Sequence, residues 1–324
     1  MNYINGAKIL ITGGTGSLGT ALTKRLLSGQ NGHPEKIVIF SRGEYEQATL
    51  HAENPDSRLE FIIGDIRDKE RVELALQDID IVIHTAAMKR IEKCEENPVE
   101  AYETNVMGTA NLIQAIQRFR LPIHTFIYIS SDKGCNPVNI YGSTKLGGEQ
   151  VTLAANHRYS PTRFIAVCYG NVLSSRGSVI PIFRAQADAG MPLTVRDPDM
   201  TRFLITLDRA VDTIISALTT AIAGEVYIPI IPAATVGDIA KVIIGKRPIS
   251  ITIVGKGDNE KQHEILISDS TLPRVIQRDD YYVVTTKNQV HPILQKEYSS
   301  ADYLISQDEL RQLFIKYGFV KENE

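Results

Sequence analysis

Apolar residues along the chain fall into short, β-branched runs separated by stretches with helical spacing. The runs are KILIT at 8–12, KIVIF at 36–40, LEFII at 59–63, DIVIH at 80–84, TFIYIS at 125–130 and RFIAVC at 163–168. Runs this short and this continuously apolar suit strands covered on both faces, as in a parallel sheet. Residues 18–28, 69–77 and 98–119 carry helical periodicity and are long enough for crossovers between such strands. Strand and helix alternating in this order predict an α/β fold with a Rossmann-type doubly wound parallel sheet. After Cys168 the rhythm breaks. Gly and Pro punctuate 169–181 and 190–198, GEVYIPIIP at 224–232 reads as a strand between turns, 235–244 as a helix and 250–254 as a strand. An apolar run at 281–286 precedes a polar tail in which no pattern is readable. The expected organisation is a sheet domain over 1–168, with later returns near 200–232, and a smaller, interleaved C-terminal unit over most of 169–324.

Composition narrows the function classes. The 324 residues are 43% hydrophobic and 23% charged, which excludes wholesale disorder. Lys and Arg total 35 against 38 Asp and Glu, a net charge of −3 with no block of like charges, which argues against a nucleic-acid partner held by counterion release. Cys94, Cys135 and Cys168 are widely and irregularly spaced and form no C-x-x-C, so neither a disulfide framework nor a zinc site is readable. Buried or neutral thiols in a reducing cytosol are expected. The start lacks the basic and apolar regions of a signal peptide, and no apolar run approaches the roughly 18 residues of a membrane span. A soluble cytoplasmic protein without a membrane partner is the expectation.

Chemistry first shows in the turn after the first strand. Thr12-Gly13-Gly14-Thr15-Gly16-Ser17-Leu18-Gly19 satisfies both G-x-G-x-x-G and G-x-x-G-x-x-G, between a strand and a helix. Glycine permits the tight turn and the approach of backbone N–H groups to a pyrophosphate, and the helix N-terminus adds partial positive charge. Gly13, Thr15, Gly16, Ser17, Leu18 and Gly19 are therefore expected to bind a dinucleotide. An NAD site usually carries Asp or Glu at the tip of the second strand. Here the strand ends in Ser41-Arg42-Gly43. A hydroxyl and a guanidinium suit a 2′-phosphate, so NADP is predicted. Asp65 stands where an adenine amino group can be bound. Ala86 and Ala87, after the fourth strand, are small enough for a ribose to lie against the backbone. His84 has no metal-ligating partner at suitable spacing and reads as a core histidine.

The second constellation follows the fifth strand, in Ser131-Asp132-Lys133 and Tyr141-Gly-Ser-Thr-Lys145. Tyr141 and Lys145 are four apart and share a helix face. A tyrosine is a poor base near neutrality, but an ammonium one turn away and a positive nicotinamide both favour phenolate. Ser131, at a strand tip, can bond the same substrate oxygen.

With these residues in place the chain resembles the extended short-chain dehydrogenase/reductases and, within them, the inverting UDP-N-acetylglucosamine 4,6-dehydratases. The strings that carry the resemblance are TGGTGSLG, SRGE, GDIRD, AAMK, the block at 131–145, YGNVLSSRGSVIP and MTRFLIT, over roughly residues 5–265. Asp132-Lys133 is the discriminating pair, because simple epimerases of the superfamily lack it and retaining dehydratases generally carry Asp-Glu there. The resemblance implies transient oxidation at C4 of the sugar by bound NADP with Tyr141 as base, removal of the C5 proton by Lys133, and proton donation by Asp132 to the departing C6 hydroxyl. It implies a homo-oligomer and a nucleotide-sugar substrate. It adds Ile66, Lys89 and Asn105 to the cofactor contacts, and Lys89, Asn171, Ser178, Val179, Thr201, Arg202, Lys256 and Glu260 to the substrate contacts. Three departures stand out. Gly257 occupies the position of a family arginine with Lys256 beside it, Cys168 replaces an arginine before Tyr-Gly-Asn, and Arg90-Ile91-Glu92 replaces Gln-Val-Pro. A dehydratase for another nucleotide-hexose, a 4-epimerase and, more distantly, a non-catalytic NADP sensor are the alternatives.

Overall fold

The computed structural model describes residues 3–157, 161–173 and 178–322. The stretch 174–177 of the YGNVLSSRGSVIP string lies outside them. Six strands arise where the apolar runs predict them: β1 Lys8–Thr12, β2 Lys36–Ser41, β3 Leu59–Ile63, β4 Ile81–His84, β5 Thr125–Ile129 and β6 Arg163–Val167. Two short strands, β7 Asn171–Val172 and β8 Leu193–Val195, and then β9 Thr201–Ile205 precede β10 Val226–Pro229. The C-terminal third adds β11 Ala233–Thr235, β12 Ile251–Ile253, β13 Ile265–Ile267, β14 Val275–Arg278, β15 Tyr281–Val284 and β16 Tyr298–Ser299.

The main sheet has nine strands in the order β14-β15-β10-β6-β5-β4-β1-β2-β3. The seven strands from β3 to β10 are parallel, and β15 and β14 close one edge antiparallel. The order reverses between β1 and β4, and it is outside the strand ends at such a switch point that doubly wound folds bind ligands. Every residue of β4 and β5 is buried, as strands covered on both faces must be, whereas the edge strand β3 exposes Glu60 and Ile63. Helices α1 Ser17–Leu27 and α2 Glu44–Glu53 follow β1 and β2, and α3 Lys69–Ala75 follows β3. After β4 come α4 Ile91–Glu96, α5 Pro98–Tyr102 and α6 Gly108–Phe119, and α7 Ile140–Ala154 follows β5. The later helices are α8 Val179–Asp188, α9 Leu207–Thr220, α10 Val236–Ile244 and α11 Gln307–Lys316. Right-handed crossovers put α3, α6 and α7 in one layer, while α1 packs on α9 across the sheet.

Two expectations gain detail here. The stretch 98–119 is helical throughout, with a wide π-type turn at Glu103–Met107 between α5 and α6. There the buried Asn105 side chain accepts from the Met88 N–H (2.7 Å) and donates to the Met88 carbonyl (2.8 Å) and the Thr144 hydroxyl (2.9 Å). An inserted residue lets the helix aim that amide inward. Within the apolar run at 281–286, Tyr281–Val284 forms β15, which pairs with β10 and β14.

The apolar residues form two clusters. The larger fills both faces of the main sheet and takes in β10, β15 and Tyr298. The smaller joins Leu173, just after β7, to Phe183, Leu193, Ile239, Leu310 and Phe314, which come from α8, β8, α10 and α11. His84 lies in the larger cluster, its ring nitrogens 2.6 Å from the Thr12 hydroxyl and 3.0 Å from that of Thr109. Burial, with the Lys145 charge nearby, lowers its pKa to about 3, the behaviour of a neutral core histidine. All three cysteines are unpaired thiols, with Cys94 and Cys168 buried. Among the described residues no helix is long and apolar enough to cross a membrane.

Candidate active site

At the switch point the strand ends open into one elongated cavity of about 1130 Å³. Its floor is the glycine turn. Gly13 has φ +67°, and a Cβ there would sit 2.7 Å from the Ala86 Cα; one at Gly19 would sit 2.5 Å from the Gly14 Cα. Only hydrogen fits at either position, so β1, β4 and α1 meet as closely as a phosphate cradle requires. Helix α1 starts after Gly16 with no side-chain cap and no acidic residue in its first turn. Its first N–H groups are left for a ligand, and an anion such as a pyrophosphate meets them and the helix dipole together. Thr15, Gly16, Ser17, Leu18 and Gly19 line the cavity on this side, and Ala86, Ala87 and Lys89 line it opposite.

At the β2 end, Ser41 and Arg42 both reach the wall. The buried Gln47 fixes Ser41 by donating to its hydroxyl (3.0 Å) and its carbonyl (3.1 Å). Arg42 is largely exposed, with Nη1 3.9 Å from an Asp65 carboxylate oxygen. Asp65 and Ile66 also line the wall. The Asp65 carboxylate, however, is gripped by Arg67, whose backbone N–H (2.9 Å) and guanidinium Nη2 (2.7 Å) both donate to it. Burial acts against the ionised form, but these bonds outweigh it and hold the carboxyl below its ordinary range. Arg67 thus fixes the orientation of the Asp65 carboxylate on the cavity wall.

The other end of the cavity carries the reactive side chains. Asp132–Gly134 make one 3₁₀ turn after β5. Ser131 caps it, accepting from the Lys133 N–H at 3.3 Å and donating to Asp132 Oδ1 at 2.9 Å. Asn139 caps α7 by accepting from the Gly142 N–H at 2.7 Å, which starts the helix one residue before Tyr141. A Cβ at Gly142 would lie 2.2 Å from the Lys133 carbonyl oxygen, so this glycine lets the turn lie against α7. Ser131, Asp132, Lys133, Tyr141 and Lys145 come together on the wall.

Burial governs the protein's own contribution to their electrostatics. Burial pushes the Tyr141 phenol up, with Ser131 partly opposing it and the Asp132 charge adding to it. Lys145 donates to the Ile129 carbonyl, lies 4.1 Å from the Tyr128 ring centroid, and is lowered by burial to about 7. In this state Tyr141 is a phenol. Lys133 Nζ lies 3.1 Å from Asp132 Oδ2, 2.8 Å from Asn171 Oδ1 and 3.2 Å from Glu264 Oε1. Asn171 lines the cavity as expected, but its carbonyl oxygen is taken by that lysine.

Ser178 is on the wall, whereas five other expected substrate contacts and one cofactor contact are not. Asn105 is buried at the π-type turn, where it organises the Met88 loop and α7. Val179 packs against the smaller apolar cluster. The buried Thr201 is held through its hydroxyl by His263 (2.9 Å) and Ser300 (2.6 Å). Arg202 donates to the Thr201 carbonyl, and its Nε lies 3.7 Å from Glu264 Oε1. Lys256 is exposed. Glu260 accepts from the Gly257 N–H (3.1 Å) and lies 3.6 Å from Arg196 Nε. Side chains with such partners are drawn off the wall by local charge and backbone groups.

Sequence reasoning missed Glu264 and Lys261. Lys261 donates to the carbonyls of Asp132 (3.2 Å) and Cys135, holding the reactive turn from a distant segment. The only signal was the string Glu260-Lys261-Gln262-His263-Glu264, which keeps the family's spacing after Gly257 breaks it.

Comparison with known proteins agrees with this architecture. The polysaccharide biosynthesis protein family matches residues 9–286. The chain is 41% identical to the inverting UDP-N-acetylglucosamine 4,6-dehydratase of Campylobacter jejuni, over 87% of this chain and 83% of that protein. It is 36% identical to a UDP-glucose 4-epimerase of Rickettsia conorii, over 85% and 81% of the two chains. The solved structure of Pen from Bacillus thuringiensis superposes with a TM-score of 0.91 at 34% identity, covering 98% of this chain and all of that one. By sequence and by fold, the chain belongs to the polysaccharide biosynthesis protein family, within the extended short-chain dehydrogenase/reductases related to the UDP-N-acetylglucosamine 4,6-dehydratases.

Proposed function

We propose that this protein is a nucleotide-sugar 4,6-dehydratase that takes UDP-N-acetylglucosamine, inverts C5 and releases a 4-keto-6-deoxy-L-arabino-hexosamine nucleotide, with NADP as a recycled cofactor. The observation that carries the reading is the buried Asp132–Lys133 pair beside Tyr141, on the wall of a cavity that begins at the glycine cradle. When bound, the nicotinamide supplies reversible hydride exchange, first with C4 and then with C6 of the sugar. The cradle from Gly13 to Gly19 holds its pyrophosphate, and Ser41 and Arg42 hold the 2′-phosphate. Tyr141, as the phenolate that a bound, positively charged nicotinamide would favour, takes the proton of the sugar 4-hydroxyl, with Ser131 bonding the same oxygen. The resulting 4-ketone acidifies the C5–H bond. Lys133, once its resting ammonium has released a proton to solvent, removes the C5 proton in its neutral form, and Asp132 in its acid form gives a proton to the C6 oxygen as the C–O bond breaks, so that water leaves. Lys133 then returns a proton to C5 from the opposite face. The sum is loss of one water with no net change in the cofactor: Lys133 ends as it began, and the proton gained by Tyr141 equals the one lost by Asp132, a difference that exchange with solvent restores.

Asn171, Ser178 and Lys89 are the substrate contacts best supported by place, since they lie on the cavity wall. The sheet part then serves the cofactor and the smaller part the nucleotide sugar. The family resemblance supports a homo-oligomer. Incubation with UDP-, GDP-, CDP- and dTDP-sugars, followed by product mass and C5 stereochemistry, tests the reading. A UDP-N-acetylglucosamine product lighter by one water and inverted at C5 is expected, and a product of unchanged mass overturns it in favour of a 4-epimerase, the reading that the Rickettsia relative favours. The dinucleotide that copurifies, identified by mass, separates NADP from NAD.

A further inference from the structure

We propose that Glu264 is a positioning residue that serves as the counter-charge of Lys133 and so leaves the neighbouring Asp132 carboxyl as the proton-carrying member of the pair. The inference deepens the dehydratase reading and rests on its assignment of Asp132 as the acid. One ammonium is shared by two buried carboxyl groups: Lys133 Nζ lies 3.1 Å from Asp132 Oδ2 and 3.2 Å from Glu264 Oε1, with Asn171 at 2.8 Å taking its third N–H. The remaining cations are distributed unequally. Arg202 Nε (3.7 Å) and Lys261 Nζ (3.7 Å) both approach Glu264, whereas no second cation pairs with the Asp132 carboxyl among the described residues. Around Asp132 stand the Ser131 hydroxyl, the Tyr141 phenol and the Cys168 thiol, all neutral groups at neutral pH.

Two carboxyl groups that share one ammonium in a desolvated site repel each other when both are ionised, and the one with fewer cations takes up a proton more readily. Burial accordingly pushes Asp132 above the ordinary carboxylate range, with the Glu264 charge adding to the rise. The three cations hold Glu264 below that range in spite of burial. Glu264 is itself fixed by an exchange of bonds with Ser300: its N–H donates to Ser300 Oγ (2.9 Å) and its carbonyl accepts from the Ser300 N–H (2.8 Å). Lys261, bonded to the Asp132 carbonyl, ties the same segment to the reactive turn.

The test is infrared spectroscopy of the cofactor-loaded protein in the carboxylic-acid C=O region at neutral pH, without substrate. The wild type should show a protonated-carboxyl band that vanishes in Asp132→Asn, a subtraction that removes any contribution from Glu149 on α7, whose carboxyl burial also pushes above the ordinary range. In Glu264→Gln, Asp132 becomes the sole carboxylate partner of Lys133, so the band should vanish there too. Glu264→Asp should keep it. If Glu264→Gln does not fold, as judged by circular dichroism and dinucleotide binding, Glu264→Met gives the same reading with an apolar side chain of similar volume. A band that persists after removal of the Glu264 charge overturns the inference, as does a wild type without one. Turnover gives a second readout: kcat in Glu264→Gln falls about a hundredfold with KM little changed, and the alkaline limb of the pH profile moves to lower pH. Failure of the dehydratase reading would appear separately, as wild-type product that has lost no water.

Discussion

Lys145 and Lys133 show how differently two lysines behave a few ångströms inside one cavity. Lys145 has a carbonyl and a ring face for company, and burial lowers it from 10.5 to about 7. Between those two values the unfolded chain binds more protons than the folded one, so this group makes stability rise with pH across that window and level off below it. The slope contributed is at most about 1.4 kcal/mol per pH unit. Denaturant titrations at several pH values should find that slope in the wild type and a flatter profile in Lys145→Met. Lys133 is held by Asp132, Asn171 and Glu264 instead. Lys133→Ala should abolish turnover while leaving NADP affinity within about threefold of wild type, because its contacts lie at the sugar end of the cavity rather than at the cradle. Unaltered turnover in that variant would remove the lysine from the mechanism.

Elements meet at the site through positions too small or too polar to be read as packing. Gly142 lets the 3₁₀ turn at Asp132 lie on α7, with no room for a Cβ against the Lys133 carbonyl. Gly142→Ala should cost about 1–3 kcal/mol, since the nearest atoms are backbone and must move. Because the turn carries Asp132 and Lys133, kcat should fall with it; a drop in thermal midpoint with kcat unchanged would separate the turn's position from catalysis. Asn105 acts at the same scale. Its amide bonds the Met88 loop and Thr144 at once, which explains why an apolar periodicity that runs on through 98–119 yields two helices and a π-type turn. Hydrophobic spacing carries no information about a side-chain amide seeking three partners. The parallel strands, by contrast, were readable to within a residue or so, because burial on both faces demands unbroken apolar runs.

Across the whole molecule the C-terminal region has two attachments. Strands β14 and β15 extend the main sheet, and the buried Glu225 binds them to it by accepting from both terminal nitrogens of Arg278, at 2.7 and 2.6 Å. Helix α11 closes the smaller cluster with Leu310 and Phe314, the latter 5.6 Å from Phe319 between ring centroids. Phe314→Ala should destabilise by about 3–5 kcal/mol, read from the denaturant midpoint. Neither attachment was visible in the sequence, since an edge hairpin and a single helix look like many others until their partners are known. Local pattern alone determined the parallel sheet, the glycine cradle after β1, and the nearness of Asp132, Lys133, Tyr141 and Lys145, for these are properties of residues a few positions apart. Only the tertiary structure decided that Glu264 and Lys261 reach the reactive turn, that Arg202 turns to a carboxylate, and that Lys145 and Tyr141 are buried deeply enough for desolvation to act on both. Those outcomes depend on which distant charges share a desolvated space, and spacing along a chain does not encode that.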